Sequence, residues 1–97
     1  MNRLEKKLKA LKEQKKKAFV AFVTAGDPNL KTSLQTAKTL ESAGVDILEL
    51  GMPFSDPMAD GPVIQKSSER ALRSGTSLKQ ILEMVSLFRQ ESDLPIL

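Results

Sequence analysis

Val45-Asp46-Ile47-Leu48-Glu49-Leu50 runs directly into Gly51-Met52-Pro53-Phe54-Ser55-Asp56-Pro57-Met58-Ala59-Asp60-Gly61-Pro62. The first six residues read as a strand. Side chains alternate along it, so Leu48 and Leu50 share one face while Ile47 and Glu49 share the other. The next eleven hold two Gly and two Pro, too interrupted for a helix and too irregular for a strand, so Gly51–Gly61 is a long loop. Pro62 then reopens helix, ending near Gly75.

Working outward, Ala18 to Val23 is apolar throughout and reads as a strand buried on both faces. Thr24-Ala25-Gly26-Asp27-Pro28 follows as a turn, with Asp27 placed to cap and Pro28 to open a helix. Leu30, Leu34, Ala37, Leu40 and Ala43 recur at steps of three and four, and Gly44 stands where a left-handed C-terminal cap is expected. Downstream, Ser77 and Gln80 carry the spacing of a capping box ahead of a helix over roughly 78–91. Leu94-Pro95-Ile96-Leu97 begins a further apolar stretch. Strands separated by helical crossovers imply a parallel sheet with helices outside. Two strands and the start of a third make no closed sheet, so the inward faces of Val20, Phe22 and Ile47 are expected to find few partners. The organisation is a single partial domain over 1–97, an N-terminal fragment of a larger parallel α/β enzyme.

Among 97 residues there is no Cys and no His, which excludes a disulfide framework, a Cys nucleophile and a Ser-His-Asp triad. A structural zinc site is equally disfavoured. Acid–base work falls to Asp, Glu or Lys. The formal charge of +3 is uneven. Eight Lys/Arg against two Glu give residues 1–17 a charge of +6, and seven against ten leave the rest at −3. Leu4, Leu8 and Leu11 read as the stripe by which this basic amphipathic arm, residues 1–17, lies on the body. An anion-binding arm is the competing reading, and it predicts salt-sensitive binding through residues 3–17. No aromatic residue interleaves with the lysines, so a stacking platform for nucleic acid is missing. The expected setting is cytoplasmic, without membrane association or a nucleotide-binding loop.

Glu49 sits at the C-terminal end of its strand, where parallel α/β folds place their active sites. A mostly apolar lumen disfavours the charged form of a carboxyl group, which suits a general acid–base role. Asp56 and Asp60 lie on the loop that follows, and two carboxylates in different environments take different roles. The competing reading makes both Asp residues turn formers that satisfy local backbone donors.

The string from Leu48 to Gln65, together with Phe19-Val20-Ala21-Phe22-Val23-Thr24-Ala25-Gly26-Asp27-Pro28, resembles the tryptophan synthase alpha chain family over essentially the whole sequence. The resemblance implies a (β/α)8 TIM barrel, with these residues supplying the first two strand–helix units and the start of the third strand. It implies retro-aldol cleavage of indole-3-glycerol phosphate to indole and glyceraldehyde 3-phosphate, in tryptophan biosynthesis. Glu49 then matches the general acid–base group, Asp60 the carboxylate that meets the indole N–H, and Phe22 an apolar wall of the indole pocket. Pro53 and Asp56 match the segment facing a beta chain, in a heterotetramer of two alpha and two beta chains. No cofactor is expected here, since pyridoxal phosphate belongs to the beta chain. The phosphate-binding loops of the family lie beyond the matched segment, so these 97 residues alone are expected to be inactive. A non-catalytic module that binds a beta-type partner through the Gly51–Gly61 loop is the alternative.

Overall fold

In a computed structural model that describes residues 1–55 and 59–97, two parallel strands form the centre: β1 (Val20–Thr24) and β2 (Ile47–Gly51). Their register pairs Val20 with Ile47, Phe22 with Glu49 and Thr24 with Gly51. Around them the order is α1 (Arg3–Glu13), β1, α2 (Leu30–Ser42), β2, α3 (Pro62–Arg73) and α4 (Leu78–Arg89). Ile96 forms a parallel bridge with Leu48, supported by Leu48 N–H to Pro95 C=O at 2.9 Å and Leu50 N–H to Leu97 C=O at 2.8 Å. Residues 95–97 therefore lie beside β2 as a third parallel segment, with α3 and α4 forming the crossover to it.

Local chemistry sets most of the boundaries. Asn29, not Asp27, caps α2 by accepting the Thr32 N–H at 2.9 Å, because the helix opens two residues later than the turn suggests. The Asp27–Pro28 peptide is cis. Gly44 takes the left-handed conformation (φ +106) just past α2, as its position predicts. Pro62 opens α3, and the capping box of Ser77 and Gln80 forms at α4 with both bonds made. Asn2 and Glu5 build a second such box at α1.

The core lies on one side of the sheet. Leu48, 1% exposed, packs with Ala37 of α2, Phe88 of α4 and Leu94, and Val23, Leu34, Leu40 and Ile96 close around them. Burying a leucine this completely contributes about 1.5–3 kcal/mol. The other side corrects the expectation of a first strand buried on both faces: Val20 and Phe22 stay about half exposed, at 44% and 45%. The helices that build the core cover one face only. Ile47 departs from its expectation in the opposite sense and is buried, next to the buried Val45 where the backbone leaves α2.

The arm also differs in detail. Leu11 is buried and Leu4, Lys7 and Ala10 are half-buried, whereas Leu8 is exposed. The contacting face of α1 is therefore 4, 7 and 11, with the stem of Lys7 laid along it. Arg3 pairs with Asp93 at 3.2 Å, which ties the arm to the loop after α4.

Candidate active site

Glu49 lies on the face of β2 opposite Leu48, as alternation requires, and is the register partner of Phe22 on β1. The two expected site residues are thus neighbours on adjacent strands. The Phe22 ring lies over Gly51, so close that a Cβ at residue 51 would stand 2.4 Å from the ring Cζ. Glycine at 51 is what allows the ring to rest on the strand end beside the carboxylate. Glu49 is exposed, and among the described residues its carboxylate has no hydrogen-bond or ion-pair partner. The expected apolar enclosure of Glu49 is therefore not formed by these residues, since one aromatic ring flanks it and the core-building helices α2 and α4 stand on the far face.

Asp60 lies on the loop between β2 and α3. It stands immediately before Gly61, the N-cap of α3, and its side chain is exposed, with no hydrogen bond joining it to Glu49. Its backbone carbonyl accepts the Gln65 side-chain N–H at 2.7 Å, a bond thrown back over the first turn of the helix. Pro53 is half-buried and Phe54 is 61% exposed. Phe54 and Ser55 form, with Gln65, Glu69 and Leu72, a cleft of about 310 Å³ between the loop and α3. Asp56 lies outside the described residues.

The helix that presents Asp60 is seated on the end of β1 by polar contacts that the sequence reading did not single out. Arg70 grips Asp27 with two bonds, Nε to Oδ1 at 2.7 Å and Nη2 to Oδ2 at 3.0 Å. That hydrogen bond, more than the charge of Asp27, raises the Arg70 pKa against the lowering effect of desolvation. Ser67 donates to the Ile64 C=O at 2.8 Å, so its 2.7 Å contact with Thr24 has the threonine hydroxyl donating. Thr76 packs on Gly26 within the space a Cβ would fill. Asp27, expected only as a turn and capping residue, is in fact half of a bidentate ion pair. Phe22, Thr24, Asp27, Ile64, Ser67 and Arg70 share a cleft of about 290 Å³ between β1 and α3. The one available signal was the run of small residues Ser67, Ser68, Ala71 and Ser74 at helical spacing, which marks a close approach of α3 to the strand end.

A carboxylate beside an aromatic ring at the C-terminal end of parallel strands is an arrangement suited to proton transfer on a flat apolar substrate. Among the described residues, no three His, Cys, Asp or Glu converge to hold a metal ion. A cleft of about 520 Å³ lies along α1, lined by Arg3, Lys6, Lys7 and Asp93 and away from Glu49 and Asp60. No helix among the described residues is long and apolar enough to cross a membrane.

Residues 8–97 match the family model described as tryptophan synthase alpha chain. The protein belongs to the tryptophan synthase alpha chain family. A tryptophan synthase alpha chain from Marinobacter nauticus is 57% identical over 97 residues, covering 99% of this sequence and 36% of the relative. One from Citrifermentans bemidjiense is 56% identical over 96 residues, with the same coverage. The crystal structure of the alpha subunit from Legionella pneumophila superposes with a TM-score of 0.96 at 44% identity, over 99% of the present structure and 37% of that one. A tryptophan synthase from M. tuberculosis in an aminoacrylate-bound form matches with a TM-score of 0.82 at 31% identity, over 91% of the present structure and 37% of that one. The 97 residues thus span a little over a third of the alpha chains they match, and their two strands and four helices are the opening strand–helix units of that barrel fold.

Proposed function

We propose that these residues hold the proton-transfer half of an alpha-subunit active site that cleaves indole-3-glycerol phosphate to indole and glyceraldehyde 3-phosphate. The observation that carries the reading is the pairing of Glu49 with Phe22 at the strand ends of a protein belonging to this family. In the proposed step the indole carbon bonded to the glycerol moiety gains a proton. The carbon–carbon bond then breaks, its electron pair returns to the ring, and the neighbouring hydroxyl loses its proton to become the aldehyde. Glu49 serves both transfers, which an exposed and unpaired carboxylate on the sheet face is free to do. Asp60 accepts the ring N–H and stabilises the positive charge of the protonated ring, and the Phe22 ring supplies an apolar wall. The Pro53–Asp56 stretch faces a beta chain in an assembly of two alpha and two beta chains, and the exposed Phe54 beside it is the kind of anchor such a contact uses. The alpha subunit needs no cofactor of its own, pyridoxal phosphate residing in the beta chain. The setting is the cytoplasm, in tryptophan biosynthesis.

The test is indole release from indole-3-glycerol phosphate by the whole protein and by its Glu49→Gln variant. Loss of a general acid–base group lowers the rate by about 100-fold or more. These 97 residues by themselves should release no appreciable indole, because proton-transfer groups without substrate positioning lose most of their effect. A Glu49→Gln protein that retains its rate overturns the assignment of Glu49. Release by the 97 residues alone at a rate near that of the whole protein overturns the dependence on positioning.

A further inference from the structure

The side chain of Asp60 has no partner among the described residues, so the backbone that presents it sets where the carboxylate stands. That backbone leads straight into α3, which buries little large apolar surface: Ala71 is fully buried and Ile64 half-buried. Val63 is 76% exposed and Leu72 is exposed too, while the buried residues of the helix are Ser67, Ser68 and Ala71. Its contacts with defined geometry meet the end of β1 and the turn that closes it. They are the bidentate Arg70–Asp27 pair, the Thr24–Ser67 hydroxyl contact, and Thr76 seated on Gly26 just past the helix. At the other end Gln65 donates to the Asp60 C=O, which makes the Asp60 peptide an extension of the helix.

We propose that Arg70 is a positioning residue for Asp60: its two-point grip on Asp27 sets the tilt and rotation of α3 on the end of β1, and Gln65 passes that setting to Asp60. The inference rests on the reading of Asp60 as a substrate-contacting carboxylate. Two parallel bonds from a planar guanidinium define an orientation, which a single point charge does not. Arg70 lies eight residues from the start of the helix, about 12 Å along the axis, so a tilt of about 5° moves the Asp60 end by about 1 Å. Misplacement on that scale costs about 100-fold in rate. The pair also contributes to folding, since Asp27 is only 18% exposed and the geometry is bidentate, but half of the Arg70 side chain lies in solvent and limits that contribution. With the Thr24 and Gly26 contacts intact, α3 stays docked when the pair is lost, but its angle is no longer set.

The experiment places Arg70→Met, Arg70→Lys, Asp27→Asn and the double variant Asp27→Asn/Arg70→Met in the whole protein. The expected result for Arg70→Met is a kcat for indole release lowered about tenfold or more with KM held within about twofold. Arg70→Lys should recover part of that loss, and the double variant should be no worse than Arg70→Met alone, as residues acting through one contact require. Backbone amide signals of Asp60, Gly61 and Gln65 should shift, with unfolding still cooperative and its midpoint lowered by a few degrees at most. A kcat within about twofold of the parent, additive single variants, or unmoved amide signals at Asp60 would each overturn the proposal. Asp60→Asn runs alongside as the control. If it keeps its rate, the functional reading fails and takes the kinetic half of the proposal with it, whereas the amide signals judge the clamp independently of any activity.

Discussion

Helices α2 and α3 both pack near β1, yet the balance of apolar and polar contact differs: α2 adds a single buried bond, Ser33 accepting the Gly26 N–H at 3.1 Å, to a large apolar contact. α2 presents Leu34, Ala37 and Leu40 to Leu48, Phe88 and Leu94, an apolar contact that is non-directional and tolerates small sliding. α3 buries serines and alanine, and holds on through an ion pair and hydroxyl contacts whose angles matter. The first kind of attachment supplies stability and the second supplies orientation. The helix held by oriented contacts is also the one that carries the loop carboxylate Asp60, whereas α2 carries no candidate site residue.

The contrast is broken most severely at Leu48, where the apolar attachment converges. Leu48→Ala should cost about 3–4 kcal/mol, the transfer term plus the cavity left between α2, α4 and the sheet. Urea unfolding of the whole protein checks it, with amide exchange accelerating in α2 and α4 together. A loss under about 1 kcal/mol would mean that the cluster around Leu48 is not the stabilising centre.

The polar side is tested next at Gly26. Its φ of +86 is unfavourable for any L side chain, and a Cβ there would come within 2.2 Å of the Thr76 hydroxyl oxygen. Gly26→Ala should therefore cost about 2–3 kcal/mol, from backbone strain and overpacking combined. Amide exchange should rise along α3 and the start of α4 and, beyond the first turn of α2 where Ser33 accepts the Gly26 N–H, leave α2 near its parent rates. An equal rise in α2 would show that the two attachments are not separable.

How much of this was legible before the structure follows the same division. The elements of the apolar side announce themselves by period: Leu34, Ala37 and Leu40 fall on one helical face, and Leu48 and Glu49 fall on opposite strand faces, because burial imposes those spacings on the sequence. Asn29 rather than Asp27 as the cap, and Lys7 rather than Leu8 against the body, are slips of one or two residues that periodicity does not resolve. The seating of α3 leaves no such period. Asp27 and Arg70 are 43 residues apart and, taken singly, look like a turn former and a solvated helix residue. Only the fold brings them together. The candidate site was accordingly readable where it rests on strand alternation, at Glu49 and Phe22, and unreadable in what holds Asp60 in place.

The finest cut falls at the Thr24–Ser67 contact. The Thr24 hydroxyl donates to a serine oxygen in a buried setting, and Ser67 keeps its own bond to the Ile64 C=O whether or not Thr24 is there. Thr24→Val removes the donor and leaves the Ser67 oxygen short of one partner, so the expected cost is about 1 kcal/mol, near the net value of a neutral hydrogen bond. Adding Ser67→Ala should recover part of that cost rather than deepen it, since removing both polar partners leaves nothing unsatisfied on either side. The pair of unfolding curves decides whether hydroxyl contacts stabilise α3 or only orient it. A neutral Thr24→Val with unchanged exchange along α3 would leave the Arg70 grip and the Gly26 seat as the whole of the polar attachment. A double variant worse than Thr24→Val alone would mean that Ser67 also stabilises α3 from within, through its bond to the Ile64 C=O of the same helix.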